Sequence, residues 1–245
     1  MATAPSSLDR SPTLAARREH VFFGGMTIAM LATVIAGFGP TYFFSSVSGS
    51  AFVLTPALHV HGAVFTTWML LLVVQSTLIS AGRVDIHRQL GVAGAVLGAF
   101  MMLLGAYVAI SRLRAGLLTA PPGVPIGVLL AIALATVVVF PTLFGSALLL
   151  RRRTDYHKRL VLLATMELVI AAVARLPVIN PLGPPVFFAV TDLFVVALVV
   201  YDFSTRGRIH PATLWGGLFF IASQPLRLAI GFSGPWQTFA TWLAS

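Results

Sequence analysis

Glu167 and Asp192 are two carboxylates set deep inside apolar stretches of this chain. Ionisable side chains in such surroundings are costly, and by default they face a cavity or each other and carry function. They are read as acid or base candidates, with His61 as their partner or as a ligand. Arg175 and Arg227, nearer the ends of their own apolar runs, could supply a counter-charge. Gln224 and Arg227 fall on one helix face, three residues apart across Pro225. A second set is a stripe: His61, Phe65, Trp68, Leu72 and Gln75 recur at steps of four, three, four and three, which puts them on one face of a helix while His59 points elsewhere. With donors on Trp68 and Gln75, such a face could line a pocket for a flat ligand. Packing of the same rings between helices accounts for it equally well. Trp68, Gln75, Arg175 and Arg227 are thus candidate ligand-binding residues beside the candidate chemical set Glu167, Asp192 and His61.

A third set repeats. Arg83-Val-Asp85-Ile-His87-Arg88 and Arg153-Thr-Asp155-Tyr-His157-Lys158 share Asp-x-His followed by a basic residue, and Asp202, Arg206, Arg208, His210 and Pro211 give a stretched version. An Asp at a helix start can cap free amides and suits the positive helix end, while neighbouring basic side chains reach lipid headgroups. The functional reading is that His20, His87, His157 and His210 converge as metal or haem ligands, His87 and His157 being the best pair.

The elements that must position these groups are helices. Of 245 residues, 58% are hydrophobic and 9% charged, against about a quarter charged in a soluble domain. A water-soluble fold is excluded. Apolar runs of about 20 residues match the hydrocarbon thickness of a bilayer, and the short alternating segments of a β-barrel are missing. The expected fold is an all-α membrane bundle of seven spans, near residues 21–44, 57–80, 89–110, 124–150, 158–178, 184–203 and 212–232. Residues 1–20 are expected to be a flexible tail and 21–245 a single transmembrane domain. The run from Val21 to Phe44 is too long for a signal peptide and is read as a retained helix. Twelve basic residues (Arg10, Arg17, Arg18, Arg83, Arg88, Arg151, Arg152, Arg153, Lys158, Arg159, Arg206 and Arg208) fall on the tail side, and Arg112, Arg114, Arg175 and Arg227 on the other. That bias puts the N-terminus inside a bacterial cytoplasmic membrane and the C-terminus outside, with Trp236 and Trp242 in the outer interfacial belt. Gly24, Gly25, Gly37 and Gly39 would let a second helix approach the first span closely.

Several chemistries fall away. The chain has no cysteine, which removes disulfides, cysteine-ligated iron–sulfur clusters and thiolate nucleophiles. A retinal Schiff base needs a buried lysine, and the one lysine is the interfacial Lys158. The net charge of +9 reflects topology and anionic headgroups rather than nucleic acid. No P-loop, Gly-x-Ser-x-Gly elbow or His-Glu-x-x-His motif is present.

The pattern His59-x-His61, Trp68, Gln75, Gly82-Arg83, His87-Arg88-x-Leu90-Gly91 resembles one in bacterial multi-pass membrane proteins without an assigned activity. The segments from His157 to Arg175 and from Asp202 to Pro211 share that resemblance. A weaker similarity links the chain to haem-binding helical membrane proteins, haem A synthase and the cytochrome b561 group, which also carry His-Arg near an interface. That similarity implies histidines paired across helices about haem b. Three readings stand: a redox-type protein binding haem b or another small molecule, an enzyme acting on a lipid or other apolar substrate through His61 and a carboxylate, and a non-catalytic accessory or transport protein. Membrane lipids are the expected partners in all three.

Overall fold

The computed structural model describes residues 13–49 and 53–245, and among these the secondary structure is entirely helical. Helix α1 (Leu14–Phe38) starts where the Thr13 hydroxyl accepts a bond from the Ala16 amide. It passes through a π-helical turn at Gly39–Phe43 and a one-turn helix at Ser45–Ser48. Helix α2 (Pro56–Ser80) opens with Thr55 as cap and proline in its first turn, where a missing amide hydrogen costs nothing. Then follow α3 (Val84–Arg114), α4 (Ile126–Leu149), α5 (Thr154–Val173), α6 (Pro184–Arg206), α7 (Pro211–Phe232) and a short α8 (Gly234–Ala244). Both α4 and α7 continue through their internal prolines, Pro141 and Pro225.

The first helix begins at Leu14, so residues 14–20, expected to belong to a loose tail, are helical. The remainder of that expected tail, 1–12, lies outside the described residues. Five stretches are long and apolar enough to cross a membrane: Leu14–Phe43, Pro56–Ser80, Val84–Arg114, Ile126–Leu149 and Pro184–Arg206. Helices α5 and α7, also expected to span, fall short in apolarity.

For α5, its position explains this. It packs against α1, α4, α6 and α7, and from Arg159 to Val173 every residue except Val161 and Ala171 is buried. A helix surrounded by protein need not match lipid, so it can carry Arg159 and Glu167. The outer helices do the reverse. Val92, Val96, Phe100, Leu103 and Tyr107 of α3, and Leu193, Val196, Val200 and Phe203 of α6, form exposed apolar stripes at helical spacing. Charge buried within and hydrocarbon exposed without is the distribution a bilayer requires.

Close packing is local. A Cβ at Gly37 would lie 2.1 Å from the Ala172 carbonyl oxygen, so α1 and α5 touch there backbone to backbone. Gly25, expected to serve the same purpose, has nothing within 4 Å. The basic loops gather at one end of the bundle, where Lys158 pairs with Glu19 at 2.7 Å and Arg206 with Asp155 at 3.4 Å. At the opposite end α8 lies across α3, α4 and α7, fixed by bonds from Trp236 Nε1 to the Gly127 carbonyl (2.7 Å) and from Arg114 Nε to the Leu243 carbonyl (2.9 Å).

Candidate functional site

The first turns of α3 and α5 bring His87 and His157 together at the basic end. Their ring centroids are 6.3 Å apart and the planes are nearly perpendicular, at 83°. His157 Nδ1 lies 2.9 Å from the Ala147 carbonyl oxygen. A carbonyl only accepts, so Nδ1 carries the proton and Nε2 presents its lone pair when the ring is neutral. A backbone carbonyl fixing the far nitrogen is the usual support for a metal-ligating imidazole. His87 is held from behind, since the Gln75 side-chain amide donates to the His87 carbonyl at 3.2 Å. His87 Nδ1 and Gln75 Oε1 are buried without a hydrogen-bond partner. Buried polar atoms are seldom left unsatisfied, so this corner has bonding capacity that the described residues do not use.

The other two histidines proposed for this layer do not join the pair. His210 caps α7, its Nδ1 accepting from the Ala212 amide at 3.1 Å, and its ring packs edge-on to Tyr156 with centroids 4.6 Å apart. No hydrogen bond or ring contact links His20 to His87 or His157 among the described residues. Nor do those residues hold any group of three or more His, Cys, Asp and Glu side chains placed to share a metal ion.

Glu167 lies buried in a hydrogen-bonded network in which, among the described residues, only Arg227 Nε is left without a partner. Arg227 Nη1 and Nη2 donate to its two carboxylate oxygens, each at 2.7 Å, and the Thr136 hydroxyl donates to Oε1 at 2.7 Å. Arg227 also donates to the Ser223 hydroxyl at 2.7 Å. The two-pronged match of guanidinium and carboxylate is the strong form of the interaction, and it ties α4, α5 and α7 at one level. Asp192 accepts from Gln224 at 2.7 Å, joining α6 to α7. Each of the two buried carboxylates is thus bonded to a side chain of α7, Glu167 to Arg227 and Asp192 to Gln224.

A second buried pair escaped the sequence reading. Arg159 of α5 is 1% exposed and Asp202 of α6 is fully buried. Arg159 Nε donates to Asp202 Oδ1 at 2.9 Å, and Nη2 reaches the same oxygen. Asp202 Oδ2 accepts from the His210 amide at 3.1 Å and the Thr213 hydroxyl at 2.5 Å. The sequence places Arg159 among the basic residues of the tail side, and the structure buries it. Nothing in the sequence marks Thr136 or Thr213.

The α2 stripe is split by its surroundings. Trp68 donates from Nε1 to the Thr165 hydroxyl at 3.3 Å and meets Phe140 and Phe144 edge-on. His61 stacks on Phe65 with centroids 4.1 Å apart, and its Nδ1 is buried without a partner. No hydrogen bond joins His61 to Glu167 or Asp192. Arg175 lies over the Phe38 ring at 4.5 Å and donates to the Ala171 carbonyl at 2.8 Å, apart from both carboxylates.

Compared with known proteins, the chain matches no family, no curated protein and no solved structure.

Proposed function

We propose that this is a seven-span bacterial inner-membrane protein that binds haem b between His87 and His157 and acts in electron transfer. The observation that carries this reading is the geometry of that pair. Two imidazoles ligating one ion at about 2 Å each put their ring centroids roughly 6 Å apart, and the separation is 6.3 Å. Zinc takes four ligands, at least three of them from protein at its catalytic and structural sites. With two imidazoles available, an ion whose other ligands come from a macrocycle suits the site better, and haem iron is such an ion. The carbonyl behind His157 and the unpartnered Nδ1 of His87 favour the same conclusion. Bound there, haem would supply a one-electron couple, and the chain would contribute the imidazole nitrogens of His87 and His157, burial and orientation. A carboxylate enzyme is less well supported, because Glu167 spends its oxygens on Arg227 and Thr136.

Seven spans follow if α5 and α7 cross with the rest. Their 20 and 22 residues reach about 30 Å at 1.5 Å per residue, the thickness of the hydrocarbon layer. The arginine-rich end is then cytoplasmic. An absorbance spectrum of the protein purified in mild detergent tests the haem assignment, together with iron analysis. A Soret band and about one iron per chain are expected, lost in His87→Ala and His157→Ala and kept in His210→Asn. Protein with neither Soret absorbance nor iron, even after incubation with haemin, would end the proposal.

A further inference from the structure

At the basic end a cavity of about 560 Å³, lined by neither His87 nor His157, opens between the α4–α5 loop and the α6–α7 loop. Its walls include Arg152, Arg153, Asp155, Arg206, Arg208 and His210. The one carboxylate is already engaged, by Lys158 at 2.7 Å, Arg159 at 3.5 Å and Arg206 at 3.4 Å. Arg152 and Arg208 make no hydrogen bond or ion pair among the described residues, while Arg153 stands 5.9 Å from the Tyr156 ring centroid. The cavity is therefore strongly cationic, with guanidinium groups in reserve.

Two further donors lie in its wall. His210 is 4% exposed, and because its Nδ1 accepts from Ala212, its proton is on Nε2. That N–H has no acceptor among the described residues. Helix α5 starts here as well, with no side chain capping it. Uncapped amides at a helix start favour an anion. Guanidinium forks suit the oxygens of phosphate in particular. The volume lies in the range of small-molecule sites, about 300–1,000 Å³.

The geometry points to a phosphate-binding site in this cavity, held by Arg152, Arg208 and His210 Nε2–H. The ligand chemistry is a phosphate ester, either the headgroup of an anionic lipid or a soluble phosphorylated molecule. Full-length protein in detergent would be titrated with phosphatidic acid, and separately with phosphatidylcholine, under native mass spectrometry. Phosphatidic acid is expected to bind preferentially. Arg152→Gln with Arg208→Gln should weaken it about tenfold or more, and Arg83→Gln with Arg88→Gln, which removes equal charge at the same end but outside the cavity, should leave it within about twofold. Unchanged thermal midpoints in both doubles separate lost binding from lost folding, and Arg152→Lys with Arg208→Lys keeps the charge should the glutamine pair unfold. Glycerol 3-phosphate distinguishes the sources. Displacement of the lipid by millimolar glycerol 3-phosphate marks a site for soluble esters, and lipid binding unaffected by it marks a headgroup site. Equal weakening by the two glutamine doubles, or no preference for phosphatidic acid over phosphatidylcholine together with no binding of glycerol 3-phosphate, would overturn the assignment.

Discussion

His157 and His210 both stand at helix starts near the basic end, yet their Nδ1 atoms do opposite work. In His157 that nitrogen donates to the Ala147 carbonyl, and in His210 it accepts from the Ala212 amide. Protonation is compatible with the first bond and destroys the second. Burial, with Arg159 and Arg206 nearby, holds the His210 imidazole below its usual range, against the smaller opposing pull of Asp202 and Asp155. A histidine so shifted contributes stability that is present above its unfolded value, about 6.5, and is lost as the pH falls. Because asparagine caps without titrating, His210→Asn should match the parent at pH 8 and then lose less stability on acidification. At stake is a cap worth about 1 kcal/mol. Thermal midpoints in detergent from pH 8 to pH 5.5 would show it, and parallel pH curves for the two proteins would count against the tautomer assigned to His210. Such detail is invisible in sequence, where Asp155-x-His157 and the stretched Asp202 to His210 motif look like copies. Glycines behave likewise: Gly37 meets the Ala172 backbone and Gly25 meets nothing, although both sit in the same small-residue run.

Among the elements, α5 departs furthest from what its sequence suggested, and for a clear reason. Hydropathy reports which helices suit lipid, and α5 is enclosed by α1, α4, α6 and α7. Its buried charges belong to two clamps of opposite polarity, Arg159 to Asp202 of α6 and Glu167 to Arg227 of α7. The sequence marks the cost of Glu167 and offers Arg175 or Arg227 as a counter-charge for it or for Asp192; Arg227 takes that place and Arg175 does not. The sequence does not single out Arg159, because a basic residue at a helix start ordinarily reaches headgroups. Removing one member of a buried pair leaves an uncompensated charge, at a cost of about 3–5 kcal/mol, whereas replacing both with apolar residues of similar size is often close to neutral. Glu167→Leu and Arg227→Met are each expected to lose stability on that scale, and the double variant to recover most of it. Chemical unfolding in mixed micelles, arranged as a double-mutant cycle, measures the coupling. Additive losses would mean that the pair does not act as a unit.

Across the whole molecule, the all-α membrane architecture was legible from composition and from the spacing of apolar runs, because lipid imposes its thickness on every exposed helix. Its threading depends on α5 and α7. If α5 and α7 both cross, the basic loops share one side and Ser245 lies on the other; if only one of them crosses, Arg151 and Ser245 fall on the same side; if neither does, Ser245 stays opposite Arg151 but Arg206 and Arg208 join it there. The absence of cysteine makes this directly testable, since any introduced thiol is the sole target for a maleimide. Arg151 and Ser245 are both exposed, at opposite ends of the bundle on the seven-span reading. In intact bacterial cells a membrane-impermeant maleimide should label Ser245→Cys and spare Arg151→Cys, and inverted membrane vesicles should reverse the pattern. Labelling of both from one side would remove one crossing. The side on which Arg151→Cys is labelled also decides which leaflet can supply a phosphate headgroup to Arg152 and Arg208, the cytoplasmic one being expected from the positive-inside bias.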